Sequence, residues 1–334
     1  MATEKVFRAR TNRRGKSELF LDGEYISIQD LKDRDDIRLE QNIQKYLSKK
    51  DIPEYPTPAE FHITEVAHVT NQKSLHEIWK SEGFMGLDED LFSWWSLKIN
   101  EADITAAEKR YLEESFPDIT EEEKTAHPPF LSEFTTSPLF LNKTSRYGNF
   151  RFTFPLTELM EAYKKQKCEG QEPVLRIYET KLFRQEIEYV VLVHSPEFNE
   201  KFRDFPLLKS NPLVAYDGHQ IIWKAQAICK THNFQLVKHG KTAMPEPLYS
   251  HEWYVWDQVS LAFYTKDVLT FSKRKLKASL SCCEQDLNIN LSNGQHCFSL
   301  DEAKKCIESL QDDDDEKEDE KEEHKSVDVK VEME

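Results

Sequence analysis

Alternating apolar and polar residues predict a series of β-strands from residue 150 onward. Phe150, Phe152 and Phe154 alternate with Arg151 and Thr153, which is the two-residue period of a half-buried strand. Further runs of β-branched and aromatic residues predict strands at Val174 to Tyr178, Ile187 to Val193, Gln220 to Ile228, Trp253 to Tyr264 and Leu287 to Leu291. The body of the protein is therefore expected to be rich in strands.

Apolar residues at helical spacing, together with capping residues, predict helices around these strands. The first predicted helix covers Ser27 to Lys50, with Ser27 as its N-cap. A charged helical region follows between Glu101 and Pro129, with capping boxes at Thr105 with Glu108 and at Thr120 with Glu123. Two more helices are predicted, one at Pro155 to Lys167 and a last one opened by Ser299 and Glu302. The expected fold class is α+β, with mixed or antiparallel sheets and peripheral helices.

Shifts in composition divide the chain into four parts. Residues 1–17 carry clustered arginines among small polar residues and predict a flexible basic arm. Residues 18–57 predict a helical N-terminal extension that ends at a group of prolines. Residues 58–310 form the expected α+β body, in which a break near 197–212 would separate two lobes. Residues 311–334 form a tail.

The tail is acidic and of low complexity. From Asp312 to Glu334 it has thirteen acidic residues against four lysines, a net charge of −9, so the remainder carries −7 of the total −16. Such a segment cannot bury enough apolar surface to fold, and we expect it to be disordered. The body is only mildly acidic, which argues against a protein whose whole surface binds nucleic acid. The tetrapeptide VKVE at residues 329–332 matches the SUMO-conjugation pattern, with Lys330 as the acceptor.

The sequence shows no apolar run of the length that a signal peptide or a membrane helix requires. We therefore expect a cytoplasmic or nuclear protein that does not bind membranes. Six cysteines at irregular spacing fit reduced thiols better than a disulfide framework. The sequence has only nine glycines and none of the glycine-rich motifs that bind phosphate in nucleotide-binding folds.

The most distinctive polar motif is HVTNQKSLHEIWKSEGF at residues 68–84. His68 and Thr70 end a predicted strand at a polar corner, a short amphipathic helix follows, and Gly83 ends that helix. A competing register exists, because His62 in Phe61-His62-Ile63-Thr64 also stands two residues before a threonine.

Two further residues stand out near predicted strands. Alternation places Glu188 on one strand face with Val190 and Leu192, where burial would raise the pKa of its carboxyl group. Tyr147 precedes Gly148, and a glycine there permits close approach of the backbone to a ligand.

These three elements resemble the ADP-ribosyltransferase superfamily, which includes the poly(ADP-ribose) polymerases and the DarT-type enzymes. The resemblance covers about residues 61–196. It implies that His68 binds the ribose of NAD with support from Thr70. It also implies that Tyr147 stacks on the nicotinamide and that Glu188 stabilises the cationic transition state. Such a protein consumes NAD as a substrate and passes ADP-ribose to a protein or nucleic-acid acceptor.

Each of these residues also has a purely structural interpretation. His68 would be a corner residue hydrogen-bonded to the backbone, and Tyr147 would belong to a simple turn. Glu188 would pair with Arg184 or Arg176 on a neighbouring strand. The alternative function is then a non-catalytic intracellular adaptor in signalling or host defence, acting through its basic arm and acidic tail. Single-stranded nucleic-acid binding by the aromatic strands is a third interpretation.

A zinc site is the alternative for the cysteine-containing segments. Cys229 and His232 have the spacing of a ligand pair, and the further donors are Cys282, Cys283, His296 and Cys297. However, Cys229 lies in an apolar strand run, and the adjacent Cys282 and Cys283 would point to opposite faces of a strand. We therefore expect no bound metal.

Overall fold

The computed structural model describes residues 5–12, 17–34, 37, 47, 55–56, 58–86, 91–209, 211–248, 254–285 and 299–310. The strands in these ranges are β1 (Arg8–Thr11), β2 (Ser17–Asp22), β3 (Ala59–Ile63), β4 (Glu65–Thr70), β5 (Gly83–Phe84), β6 (Phe92–Lys98), β7 (Thr144–Ser145), β8 (Phe150–Pro155), β9 (Val174–Phe183), β10 (Glu186–His194), β11 (Val214–Tyr216), β12 (Ile221–Ala225), β13 (Phe234–His239), β14 (Thr242–Pro247), β15 (Trp256–Tyr264), β16 (Leu269–Thr270), β17 (Leu280–Cys282) and β18 (Glu284–Gln285). The α-helices are α1 (Ile28–Lys32), α2 (Gln72–Ser81), α3 (Glu101–Ser115), α4 (Glu121–Ala126), α5 (Leu156–Lys167), α6 (Lys273–Ser279) and α7 (Leu300–Glu308). Short 3-10 helices occur at Leu131–Glu133, Pro138–Phe140 and Pro196–Phe198.

Nine of the described strands form one sheet, in the order β1-β2-β9-β10-β15-β6-β4-β8-β17. The pair β10 and β15 is parallel, and the other neighbours in this sheet are antiparallel. Smaller sheets contain β11-β12-β3, β13-β14, β16-β5 and β18-β7. The predicted α+β class with mixed, strand-rich sheets is confirmed.

The segment beyond Pro196 contributes a central strand to the main sheet. β15 follows the suggested lobe break, yet it lies between β10 and β6, both of which precede that break. All nine residues of β15 and all nine of β10 are buried. The suggested break near 197–212 therefore does not divide the sheet.

Strand β10 separates two apolar cores. Ile187, Tyr189 and Val191 point into the larger core, whereas Val190 and Leu192 join a smaller cluster with Phe92, Phe202, Ala262 and Tyr264. This is the alternation that a strand imposes. It places Glu188 at the start of the strand, on the side of the smaller cluster.

The N-terminal segment differs from the prediction of a flexible arm followed by a helical extension. Arg8–Thr11 form β1, which pairs with β2, and β2 pairs in turn with β9. The physical reason is long-range, because Arg10 forms a two-point ion pair with Glu179 of β9. Helix α1 begins after Ser27, whose side chain caps it as predicted.

Two of the predicted capping boxes are confirmed, at Thr120 with Glu123 and at Ser299 with Glu302. The box proposed at Thr105 is wrong. Helix α3 begins one turn earlier, where Asn100 and Asp103 cap each other reciprocally. Glu108 instead accepts hydrogen bonds from the backbone N–H groups of Phe130 and Leu131.

Several predictions fall outside the described residues. They concern the strand at Leu287 to Leu291, the tail at 311–334 with Lys330, most of the helix expected up to Lys50, the arginines at 13–14, and the donors His296 and Cys297. None of the helices in the described ranges is long and apolar enough to span a bilayer.

Candidate functional site

A cleft of about 1130 Å³ opens beside the nine-stranded sheet, near the point where β4 and β6 separate. Its floor is formed by β9, β10, β15 and β6, with the hairpin of β1 and β2 at one end and α2 with β5 along one wall. Side chains that line it include Arg10, Glu18, Ser74, Glu77, Lys80, Phe84, Trp94, Tyr178, Glu179, Lys181, Phe183, Glu186, Gln258 and Ser260. The volume lies slightly above the usual range for small-molecule sites, which is roughly 300 to 1,000 Å³.

The four residues singled out by sequence all line this cleft. His68 and Thr70 lie on β4, Tyr147 lies in the loop before β8, and Glu188 lies on β10. The competing residue His62 lies on β3 in a different sheet and does not line the cleft; its ring contacts Glu60 and Gln220. The residues of the His68 register therefore line one cleft, but His68 packs against Phe84 and Trp95 of the larger core, whereas Glu188 lies on the sheet face of the smaller cluster.

His68 stands where β4 and β6 separate. The two strands pair only from Glu65 to Ala67, and beyond this point the backbone carbonyl of Trp94 accepts a hydrogen bond from His68 Nδ1 at 2.8 Å. A carbonyl can only accept, so the proton lies on Nδ1 and the lone pair lies on Nε2. Burial lowers the pKa of His68, with the Trp94 hydrogen bond opposing this effect. The ring is therefore neutral near pH 7 and offers Nε2 as an acceptor.

Tyr147 is held next to the end of β4 by Gly148. A Cβ atom placed on Gly148 would lie 2.1 Å from the carbonyl oxygen of Thr70, and the φ of Gly148 is +150°. Only glycine fits there, so this residue serves the close approach of two backbone segments rather than contact with a ligand. The side chain of Tyr147 is 44% exposed, and the guanidinium carbon of Arg146 lies 5.3 Å from its ring centre.

Glu188 is the buried carboxylate at the centre of the cleft floor. Its two oxygens contact Lys181 Nζ at 2.6 Å and Ser260 Oγ at 2.6 Å. Burial alone would raise the pKa of Glu188, but Lys181, Ser260 and Arg146 hold it below its ordinary value. The predicted raised pKa is therefore wrong, because strand pairing places Lys181 directly opposite Glu188. The cross-strand partner is also Lys181 rather than Arg184 or Arg176.

Two further ion pairs flank this central pair, and neither was predicted from the sequence. Arg146 binds both oxygens of Glu186, at 2.6 and 3.0 Å, and the amide of Gln258 contacts the same carboxylate. At the other end, Arg10 binds both oxygens of Glu179, at 2.6 and 2.8 Å, and also contacts Glu18. Bidentate pairs of this kind hold each side chain in one orientation. The floor of the cleft is thus a row of paired charges, rigid before any ligand binds.

Aromatic rings border this row of charges. Lys181 Nζ lies 5.2 Å from the ring centre of Trp94, and the guanidinium carbon of Arg146 lies 4.8 Å from that of Trp256. The ring of His68 packs against Phe84 and Trp95 at 5.2 and 5.5 Å between centres. The cleft therefore combines flat apolar surfaces for stacking with charged groups of both signs.

The described residues contain no group of three or more side chains arranged to bind a metal ion. Cys229 is buried, and its sulfur contacts Thr136 and the carbonyl of Thr231 rather than other potential ligands. The zinc alternative also includes His296 and Cys297, which lie outside the described ranges, so the expectation that the protein binds no metal stays a prediction.

Comparison of this chain with protein-family models, with curated proteins and with solved structures found no match.

Proposed function

We propose that this protein binds NAD in the cleft and transfers ADP-ribose to a protein or nucleic-acid acceptor. The observation that supports this proposal most is convergence. His68, Thr70, Tyr147 and Glu188 stand out in the sequence alone, and all four line a single cleft.

The character of the cleft suits a dinucleotide. Its volume of about 1130 Å³ exceeds what a mononucleotide needs, and its walls offer aromatic faces on which planar rings can stack. NAD carries a cationic nicotinamide ring and an anionic pyrophosphate, and the cleft carries acidic and basic side chains side by side. The neutral His68 would accept a hydrogen bond from a ribose hydroxyl through Nε2.

NAD supplies the ADP-ribosyl group and the nicotinamide leaving group. The chain supplies the electrostatic environment, because the low pKa of Glu188 keeps its carboxylate ionised next to the positive charge that develops on the ribose. Lys181 and Ser260 fix the position of that carboxylate, so no reorganisation is needed when charge develops. Tyr147 would hold the nicotinamide in place by stacking, since nearly half of its side chain is accessible.

A second candidate function is binding without turnover. Both oxygens of Glu188 already have partners, and the nearby cation Lys181 offsets much of its negative charge. A protein of this kind would bind the nucleotide and signal through another surface. It would show the same affinity for NAD but no transfer.

Incubation of the full-length protein with NAD labelled in the adenosine half tests the proposal. The wild type should transfer label to itself or to added acceptors, and the rate of transfer by Glu188→Gln should be lower by about 100-fold or more. The matched control is Glu200→Gln, because Glu200 is exposed and lies outside the cleft. Equal background labelling in all three proteins, with NAD binding retained, would support binding without turnover. Absence of NAD binding as well would reject both functions.

A further inference from the structure

A second, smaller cavity of about 60 Å³ lies directly behind Arg146 and Tyr147. These two residues line both cavities together with Ala67, Val69, Ser96 and Gln258, so the two spaces share a wall. The side away from the cleft is lined by Lys98, Asn142 and Arg151, among others. Nothing in the proposed NAD site uses this space.

Two cations meet in this cavity at a single residue. Lys98 Nζ donates a hydrogen bond to the side-chain oxygen of Asn142 at 2.6 Å, and Arg151 donates to the backbone carbonyl of the same asparagine. A second N–H group of Arg151 donates to the carbonyl of Thr144 at 2.8 Å. Arg151 is only 9% exposed, and its position on β8 is fixed by pairing with β4 and β17.

The positive charge of this pair is not neutralised by an ion pair within the part of the chain that the structure describes. Arg10, Arg146 and Lys181 in the main cleft each contact a carboxylate, whereas Lys98 and Arg151 contact only amide and carbonyl oxygens. Burial and the nearby Arg151 lower the pKa of Lys98, although Glu65 and Asp103 act in the opposite direction. A buried guanidinium without an anionic partner is costly, so the pair is suited to receive an anion.

Arg151 retains donors for such a ligand. A guanidinium has five N–H groups, and the two hydrogen bonds described above use two of them. A cavity of about 60 Å³ has room for a few water molecules or for one small tetrahedral oxyanion. Phosphate matches both the planar fork of an arginine and the point charge of a lysine.

We propose that this small cavity is a binding subsite for the terminal phosphate group of a larger ligand, next to the cleft. A terminal phosphate, with its two negative charges and small size, fits a cavity of about 60 Å³ better than an internal phosphodiester.

Calorimetric titration of inorganic phosphate into the full-length protein tests the subsite itself. The wild type should show one saturable site, and Lys98→Gln should weaken it about tenfold or more, since it removes a charge-assisted hydrogen bond. Lys165→Gln removes an exposed lysine on α5 and should leave the affinity unchanged. Lys98 is the primary variant because it is partly exposed and less prone to folding defects than Arg151→Gln, which serves as a second variant. No saturable binding to the wild type, or equal affinity in Lys98→Gln, would overturn the subsite.

Two single-stranded oligonucleotides of one sequence, with and without a 5′-phosphate, test in the presence of NAD whether the subsite takes a terminal phosphate carried by a larger ligand. We expect the phosphorylated strand to bind about tenfold more tightly or better, with the difference lost in Lys98→Gln. Equal binding of the two strands would overturn a subsite for the terminal phosphate of a larger ligand. Phosphate binding without NAD binding would reject the proposed function and keep the subsite.

Discussion

The two ends of strand β10 use buried ionisable residues in opposite ways. At its first end, Glu186 and Glu188 are paired with Arg146 and Lys181 and line the large cleft. At its last end, His194 is fully buried and held neutral. Its Nε2 accepts a hydrogen bond from Arg176 Nε at 2.8 Å, so its Nδ1 carries the proton and donates to the carbonyl of Ser195.

The difference between the ends is the presence of a cavity. Phe202 packs against the His194 ring at 5.0 Å between centres, and all three nitrogens of Arg176 donate hydrogen bonds, to His194, Asn199 and the Phe205 carbonyl. Buried polar groups at that end satisfy each other and close the structure. At the Glu186 end, the buried polar groups also satisfy each other, but they still face the open cleft, which is the condition for a binding site.

The largest predicted effect concerns stability at the cleft end. Arg146→Ala should lower the free energy of unfolding by about 3 to 5 kcal/mol, because it leaves the buried Glu186 without its cation. Denaturation with urea measures this, and Arg203→Ala is the control, since its exposed pair with Glu200 contributes under about 1 kcal/mol.

The double replacement of Arg146 by Met and Glu186 by Leu sharpens this prediction. It should recover most of the lost stability, since no uncompensated charge remains. A loss below about 1 kcal/mol in Arg146→Ala would mean that the pair is solvated and that the cleft floor is not rigid.

The closed end predicts a pH dependence of stability. Burial lowers the pKa of His194 to about 4, an effect that Arg176 reinforces and the Ser195 carbonyl opposes. Histidine in the unfolded chain titrates near pH 6.5, so the unfolded state binds a proton first as the pH falls. Stability from this group is complete above about pH 6.5 and is lost as the pH approaches 4.

We expect this loss to be about 2 kcal/mol, with allowance for solvent screening near the strand end. Urea denaturation at several pH values measures it. His194→Gln keeps an acceptor for Arg176 but cannot be protonated, so the part of the slope due to His194 should disappear. An identical slope in the variant would show that His194 is accessible to protons in the folded state.

A structural feature can be predicted from the sequence when the residues that determine it are close together along the chain. Strands β8 and β10 and helix α5 are predictable because their periodicity is local. Glu188 is predictable for the same reason, since alternation alone sets its face. The arm at Arg10 was misjudged because the partner that orders it, Glu179, is remote in sequence.

Lys181 escapes a prediction from periodicity alone, because its contact with Glu188 depends on the register between β9 and β10. The hairpin between these strands turns at Arg184 and Gln185, with a positive φ of 58° at Arg184. A two-residue turn there fixes Lys181 opposite Glu188, so the turn is the local signal that could have revealed this contact. Arg146 gives no such signal, since it lies in an irregular loop whose path depends on Gly148 passing close to Thr70.

The smallest predicted effect concerns the open wall of the cleft. Tyr147→Ala should weaken NAD binding about tenfold, which corresponds to the loss of one stacking contact. Stability should change little, because 44% of the Tyr147 side chain is exposed. Tyr147→Phe keeps the ring and should bind NAD as the wild type does. Equal weakening in both variants would point to the hydroxyl group and remove the stacking role.

The most direct test is a calorimetric titration of NAD into two variants on adjacent positions of α2. Ser74 lines the cleft, so Ser74→Trp should obstruct it from the α2 wall, whereas Lys73 is exposed and Lys73→Trp should leave it open. We predict one saturable NAD site in the wild type and in Lys73→Trp, and none in Ser74→Trp. Saturable binding that persists in Ser74→Trp, or its absence from the wild type, would contradict an NAD site in this cleft.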